Sequence, residues 1–142
     1  MYRPFVSRVL LLTSLVLPLA ACSDNTTTPP TTPTPPELTE PLWNGTLTVN
    51  GAVTTNFRAT DIGTVTAILQ DLQPNNNATL SIGLDLGTWS GTSCTIKIAN
   101  ANVGIGGGVV GFANGAGELC GRIYDAGRLT EPVTFSVKIT HF

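Results

Sequence analysis

Over residues 46–57 the chain reads Thr-Leu-Thr-Val-Asn-Gly-Ala-Val-Thr-Thr-Asn-Phe, two alternating apolar and polar runs joined by Asn50-Gly51. That dipeptide suits a type I′ turn, so the pattern predicts a hairpin. Leu80, Ile82, Leu84 and Leu86 alternate with Thr79, Ser81, Gly83 and Asp85, and Val133, Phe135, Val137 and Ile139 alternate with Thr134, Ser136, Lys138 and Thr140. A period of two places one face inward and one outward. Cys94, Ile96 and Ile98 form another such row, with Thr95 and Lys97 turned to water. Ile62, Val65, Ile68, Leu69 and Leu72 fit a helical spacing as well as a strand. Gly63 and the β-branched Thr64-Val65-Thr66 favour the strand. Short strands punctuated by turn signals predict an all-β fold, a small antiparallel β-sandwich of about eight strands.

Composition divides the chain into three parts. Every glycine lies beyond residue 40, whereas Ser23 to Pro41 holds seven Thr and six Pro with Leu38 as its one sizeable aliphatic. Such a tract builds no core and reads as an extended tether, reaching roughly 60 Å at about 3.1 Å per residue. Residues 1–21 carry Arg3 and Arg8, then an apolar stretch from Val9 to Leu19 that ends in small residues. That is the pattern of a secretion signal, and its apolar stretch falls short of the roughly 20 residues a bilayer-spanning helix needs. The expected organisation is a signal peptide at 1–21, a tether at 22–40 and a folded module at 41–142.

The residues at the end of the signal, Leu19-Ala20-Ala21-Cys22, resemble the lipobox of bacterial lipoproteins. The resemblance implies a diacylglycerol thioether on Cys22, cleavage just before it, and export through the inner membrane to a lipid-anchored position. Ser23 beside the cysteine resembles the pattern that sorts such proteins to the outer membrane or cell surface. Within the module, residues 63–72, 80–86, the run Gly-Glu-Leu-Cys-Gly-Arg-Ile-Tyr-Asp at 117–125 and the strand at 133–140 resemble the bacterial pre-peptidase C-terminal domain. That family implies a jelly-roll-like sandwich serving as a non-catalytic accessory module.

Cys94 and Cys120 remain once Cys22 is lipidated, and a disulfide between them is expected in an oxidising compartment, with two buried thiols as the alternative. Their phases conflict, because Cys94 runs with Ile96 and Ile98 while Cys120 runs with Arg122 and Tyr124. Either the bond lies near a sheet rim or a bulge shifts the register.

Charge and chemistry narrow the functional classes. Only 11% of the residues are charged and the net charge is −2, with no basic block, so nucleic acid is not an expected partner. Residues 106–111, Gly-Gly-Gly-Val-Val-Gly, match a dinucleotide fingerprint formally. The glycine-rich stretch that follows opens no helix, so the run reads as a loop or thin edge strand. The single histidine, His141, stands next to the C-terminus and reads as exposed. Asp61, Asp71, Asp85 and Asp125 fall near predicted strand ends without the close spacing of a calcium loop, and read as turn-capping and solvated. No nucleophile–base pair, metal cluster or cofactor loop emerges, so no catalytic, cofactor or metal residue is assigned and the expected protein is not an enzyme. Trp43 is expected to seal one end of the core. Trp89, just before Cys94, is a candidate ligand contact, together with the glycine run from Gly104 to Gly117, or else packs over the disulfide. The expected partners are the membrane, through the lipid, and a glycan or envelope protein; the alternative is a structural envelope lipoprotein with no specific ligand.

Overall fold

The alternating runs of the module form nine strands and no helix in the computed structural model, which describes residues 34–74 and 79–142. The expected signal peptide, the lipobox with Cys22 and most of the tether lie outside the described residues. The strands are β1 (Leu38–Thr39), β2 (Trp43–Leu47), β3 (Ala52–Ala59), β4 (Ile62–Gln73), β5 (Ile82–Trp89), β6 (Cys94–Val103), β7 (Gly108–Asn114), β8 (Gly117–Tyr124) and β9 (Val133–His141).

One sheet runs β2-β9-β4-β7, with β1 beside the end of β9; the other runs β3-β8-β5-β6. All the pairings are antiparallel. Setting aside the two-residue β1, the eight main strands follow the first-eighth-third-sixth and second-seventh-fourth-fifth orders of a jelly roll. The stretch Ile62–Gln73 is one long strand, as its β-branched start favours.

The predicted hairpin at 46–57 is not formed. β2 pairs with β9 and β3 with β8, so the chain between them crosses from one sheet to the other. A turn does form, but one residue earlier than expected, with Val49-Asn50 at its centre and the Gly51 amide donating to the Thr48 carbonyl at 2.9 Å. Asn50 is the one non-glycine residue described with positive φ, at 55°, and a type I′ turn needs two consecutive left-handed residues. The turn residues were legible, but the strands they join find better partners far along the chain.

The core lies between the sheets. Leu47, Val65, Leu69, Leu72, Ile82, Leu84, Ile123, Phe135, Val137 and Ile139 are all buried there. Trp43 packs edge-on against Phe135, with ring centroids 5.3 Å apart, and its ring lies over Gly121 of the opposite sheet. It closes the long side of the sandwich between β2 and β3 rather than an end. The sheet also takes in Leu38–Thr39, on the far side of the expected boundary at residue 41, and the Glu40 amide continues the contact by donating to the Ile139 carbonyl.

Candidate functional site

Three places gather polar or aromatic side chains. The first is the outer face of the β3-β8-β5-β6 sheet. Leu84 and Leu86 of β5 point into the core, so Gly83, Asp85 and Gly87 point outward, yet all are buried. Asp85 is wholly buried in mid-strand, directly opposite Arg122. The Arg122 Nε and Nη2 both reach Asp85 Oδ2, at 3.0 and 2.7 Å, while Oδ1 has no hydrogen-bond partner. The guanidinium lies 4.8 Å from the Tyr124 ring centroid, and the ring covers Gly83. This corrects the reading of Asp85 as a solvated strand-end residue, because its charge partner lies 37 residues further along the chain.

Of the other three aspartates, Asp61 and Asp125 hold turns as expected, whereas Asp71 stands inside β4 at a bulge and not in a turn. Asp61 accepts from the Ile62 amide at 2.7 Å, and Asp71 accepts from the Leu72 amide at 2.9 Å beside a register shift in β4. Asp125 accepts from the amides of Asn50, Arg128 and Leu129 at 2.8, 2.7 and 3.1 Å. Partial desolvation raises its pKa, but the amides of Asn50, Arg128, Leu129 and Gly127 outweigh that and hold the carboxyl below its ordinary value. Among the described residues no three His, Cys, Asp or Glu side chains converge as a metal site requires.

The second place holds the cysteines. Cys94 and Cys120 are disulfide-bonded with Cα atoms 5.8 Å apart. Their phase conflict is resolved by a bulge. Leu86 pairs with Ile98 and Gly87 with Ile96, which leaves Lys97 as the extra residue and turns Ile96 and Cys94 outward, the side Cys120 already faces. Trp89 stands half-buried directly across the ladder from Cys94, on the same face.

Trp89 does not share an end with the first part of the glycine run. β6 leaves its pairing with Trp89 at Cys94 and reaches Ile82 at Val103, so Gly104–Gly107 turn at the opposite end of the sandwich. β5 is eight residues long, which separates the two by roughly 24 Å. Only the Gly115-Ala116 turn lies at the Trp89 end, since Thr88 pairs with Leu119 near the start of β8. The candidate contact formed by Trp89 with the whole run is therefore split in two, and Gly108–Asn114 forms the edge strand between the halves.

The third place was not foreseen. Glu40, Trp43, Asn44, Asn56 and Phe57 line a polar groove of about 320 Å³ between β2 and β3. Behind it His141 is buried, not exposed as its terminal position suggested. Its Nε2 lies 2.8 Å from Glu40 Oε1, its Nδ1 lies 3.3 Å from the Phe142 carbonyl, and its ring stacks on Phe57 at 5.3 Å. Both ring nitrogens thus face oxygen acceptors, and neither is aimed at a hydroxyl to be activated. The signal was present in the sequence, since His141 continues the inward phase of Val133, Phe135, Val137 and Ile139. Glu40 was hidden by its place in the proline-rich tract.

No protein-family model matches the chain, and comparison with curated proteins finds no match.

Proposed function

We propose that this chain is a bacterial envelope lipoprotein, anchored through acyl chains on Cys22, whose jelly-roll module binds a partner without catalysis. The observation that carries the anchor is Leu19-Ala20-Ala21-Cys22 placed directly after a basic and then an apolar segment. Each buried acyl CH₂ contributes about 0.8 kcal/mol, so two or more chains hold the protein stably on a bilayer. Ser23 favours the outer membrane, and the Thr/Pro tract would hold the module away from the lipid.

The groove between β2 and β3 is the best-supported recognition surface. It combines an indole, two primary amides and one carboxylate, and no basic side chain lines it. Those groups suit an uncharged, hydroxyl-rich ligand such as a glycan, whose hydroxyls both donate and accept while its ring rests on an aromatic.

Fractionation of cells expressing the Cys22→Ala protein tests the anchor, with release from the membrane as the expected result. Retention equal to the wild type refutes it. Glycan screening of the full chain tests the groove. Asn44→Ala and Asn56→Ala are expected to lose retention, and Trp89→Ala to keep it. Loss with Trp89→Ala alone would return recognition to the other face, and no retained glycan favours a structural lipoprotein.

A further inference from the structure

The four sheet edges of the sandwich differ in how they are protected. An open edge offers unpaired N–H and C=O groups to any other strand, and proteins block this with charges, prolines, bulges or breaks. The edge made by β1 and β2 is broken at Pro41. β3 carries Arg58, and β6 is bulged at Lys97 and again between Asn100 and Val103. β7, Gly-Val-Val-Gly-Phe-Ala-Asn, has no charge, no proline and an unbroken register along β4, and among the described residues it pairs with β4 alone.

Its free groups follow from the ladder. The Leu69 amide donates to the Gly107 carbonyl at 2.9 Å, so the bonded pairs of β4 and β7 continue at Ala67–Val109, Val65–Gly111 and Gly63–Ala113. Val110 and Phe112 therefore turn their N–H and C=O away from β4. The next outward carbonyl, that of Gly108, is already taken by the Asn100 side-chain amide at 3.4 Å. The side chains of Val110 and Phe112 stand on the outer face, 61% and 62% exposed, beside Ile62 at 52%.

We propose that β7 is a self-association edge, where a second copy of this chain adds its own β7 antiparallel to form one continuous sheet. A two-fold axis at Gly111, the centre of the strand, overlaps all seven residues and sets Val110 opposite Phe112 of the second copy, twice. A β-branched residue facing an aromatic is a favourable cross-strand pair. An isologous contact also brings each residue on the axis against its own copy, so any charge there would repel itself. The residue on this axis is Gly111, which brings no side chain against its copy, and the Val110–Phe112 pair formed twice by an uncharged strand is what selects a second copy over a charged peptide. The contact is small, so the dimer is weak, in the class of interfaces burying less than about 1,200 Å².

Disulfide trapping with the full chain in detergent tests both partner and register. Val110→Cys protein mixed with Phe112→Cys protein is expected to cross-link faster than either alone, because opposite residues in a bonded pair lie about 5.5 Å apart at Cα and diagonal ones about 7–8 Å. Light scattering at millimolar protein is expected to show a dimer, weakened by roughly tenfold or more in Phe112→Lys, whose exposed site tolerates the change. A monomer at that concentration without cross-linking overturns the proposal. Equal cross-linking of single and mixed variants overturns the register and reduces the contact to random collision. A protein that stays monomeric yet captures an added uncharged strand peptide, and loses it with Phe112→Lys, overturns the second copy in favour of another protein's strand.

Discussion

Gly87 and Thr95 occupy space that only one of them can fill. A β-carbon on Gly87 would lie 2.8 Å from the Thr95 carbonyl carbon and 3.0 Å from the Ile96 Cα, closer than real contacts allow. The missing side chain lets β6 fold over β5 at the Lys97 bulge, which brings Cys94 to the same side as Cys120. Gly87→Ala must push backbone, not a flexible side-chain end, so a loss of about 2–3 kcal/mol is expected. Urea unfolding of the oxidised protein checks it; an unchanged midpoint would mean that β6 has room to shift.

The disulfide closes a loop with a sequence separation of 26 residues. On the chain-entropy model that bond contributes about 3–4 kcal/mol, mainly by restricting the unfolded chain. The double variant Cys94→Ser, Cys120→Ser should unfold at lower urea by that amount. Oxidised wild type compared with reduced wild type should give the same difference, which separates the bond from the effect of serine.

The alternation that revealed the strands is local, and local features were legible. Val133 to Ile139 carries its inward face in plain sight and Asn50-Gly51 marks a turn, whereas 62–72 reads as helix or strand alike because its apolar residues fall on both faces, Ile62 exposed and Val65, Leu69 and Leu72 buried. Pairing is a different kind of information. β2 joins β9, some ninety residues away, because a jelly roll pairs its first main strand with its last, and no short stretch encodes that. The same distance hid the chemistry. Asp85 is buried against Arg122, whose guanidinium rests on Tyr124, and the groove takes Glu40 from the edge of the proline tract and shares it with His141, 101 residues away. The alternation put Cys94 in phase with Ile98, and the bulge at Lys97 breaks that phase, which was the second of the two resolutions the conflict allowed.

Arg122 matters to stability mostly through what its loss would leave behind. Arg122→Met keeps the length of the side chain but removes the guanidinium from the Tyr124 ring and abandons the Asp85 carboxylate in a site from which water is excluded. A cost of about 2–3 kcal/mol is expected, below the usual 3–5 for a buried pair because the Arg122 side chain is 39% exposed. Adding Asp85→Asn to that variant should recover part of the loss. If the double variant is as unstable as the sum of the two single ones, the pair is not coupled.

Asp125 ties two loops at one end of the sandwich, accepting from Asn50 in the sheet-crossing turn and from Arg128 and Leu129 in its own loop. Because these amides depress its native pKa below the ordinary 3.8, the folded protein holds the carboxylate more tightly deprotonated than the unfolded chain does. The unfolded state then binds the proton first, so the contribution is complete above the ordinary value and is lost as pH falls below about 4 and through the depressed native value. Asp125→Asn keeps the shape and one carbonyl acceptor but cannot titrate. Its stability should be lower near neutral pH, by about 1–2 kcal/mol for weakened charge-assisted bonds at a part-exposed site, and should run flatter than the wild type as the pH drops through this window. Chemical unfolding at a series of pH values gives both curves. Parallel slopes for the two proteins would mean that other carboxylates carry the acid sensitivity and that the 125–129 loop is held by its packing, with Leu129 buried in the core.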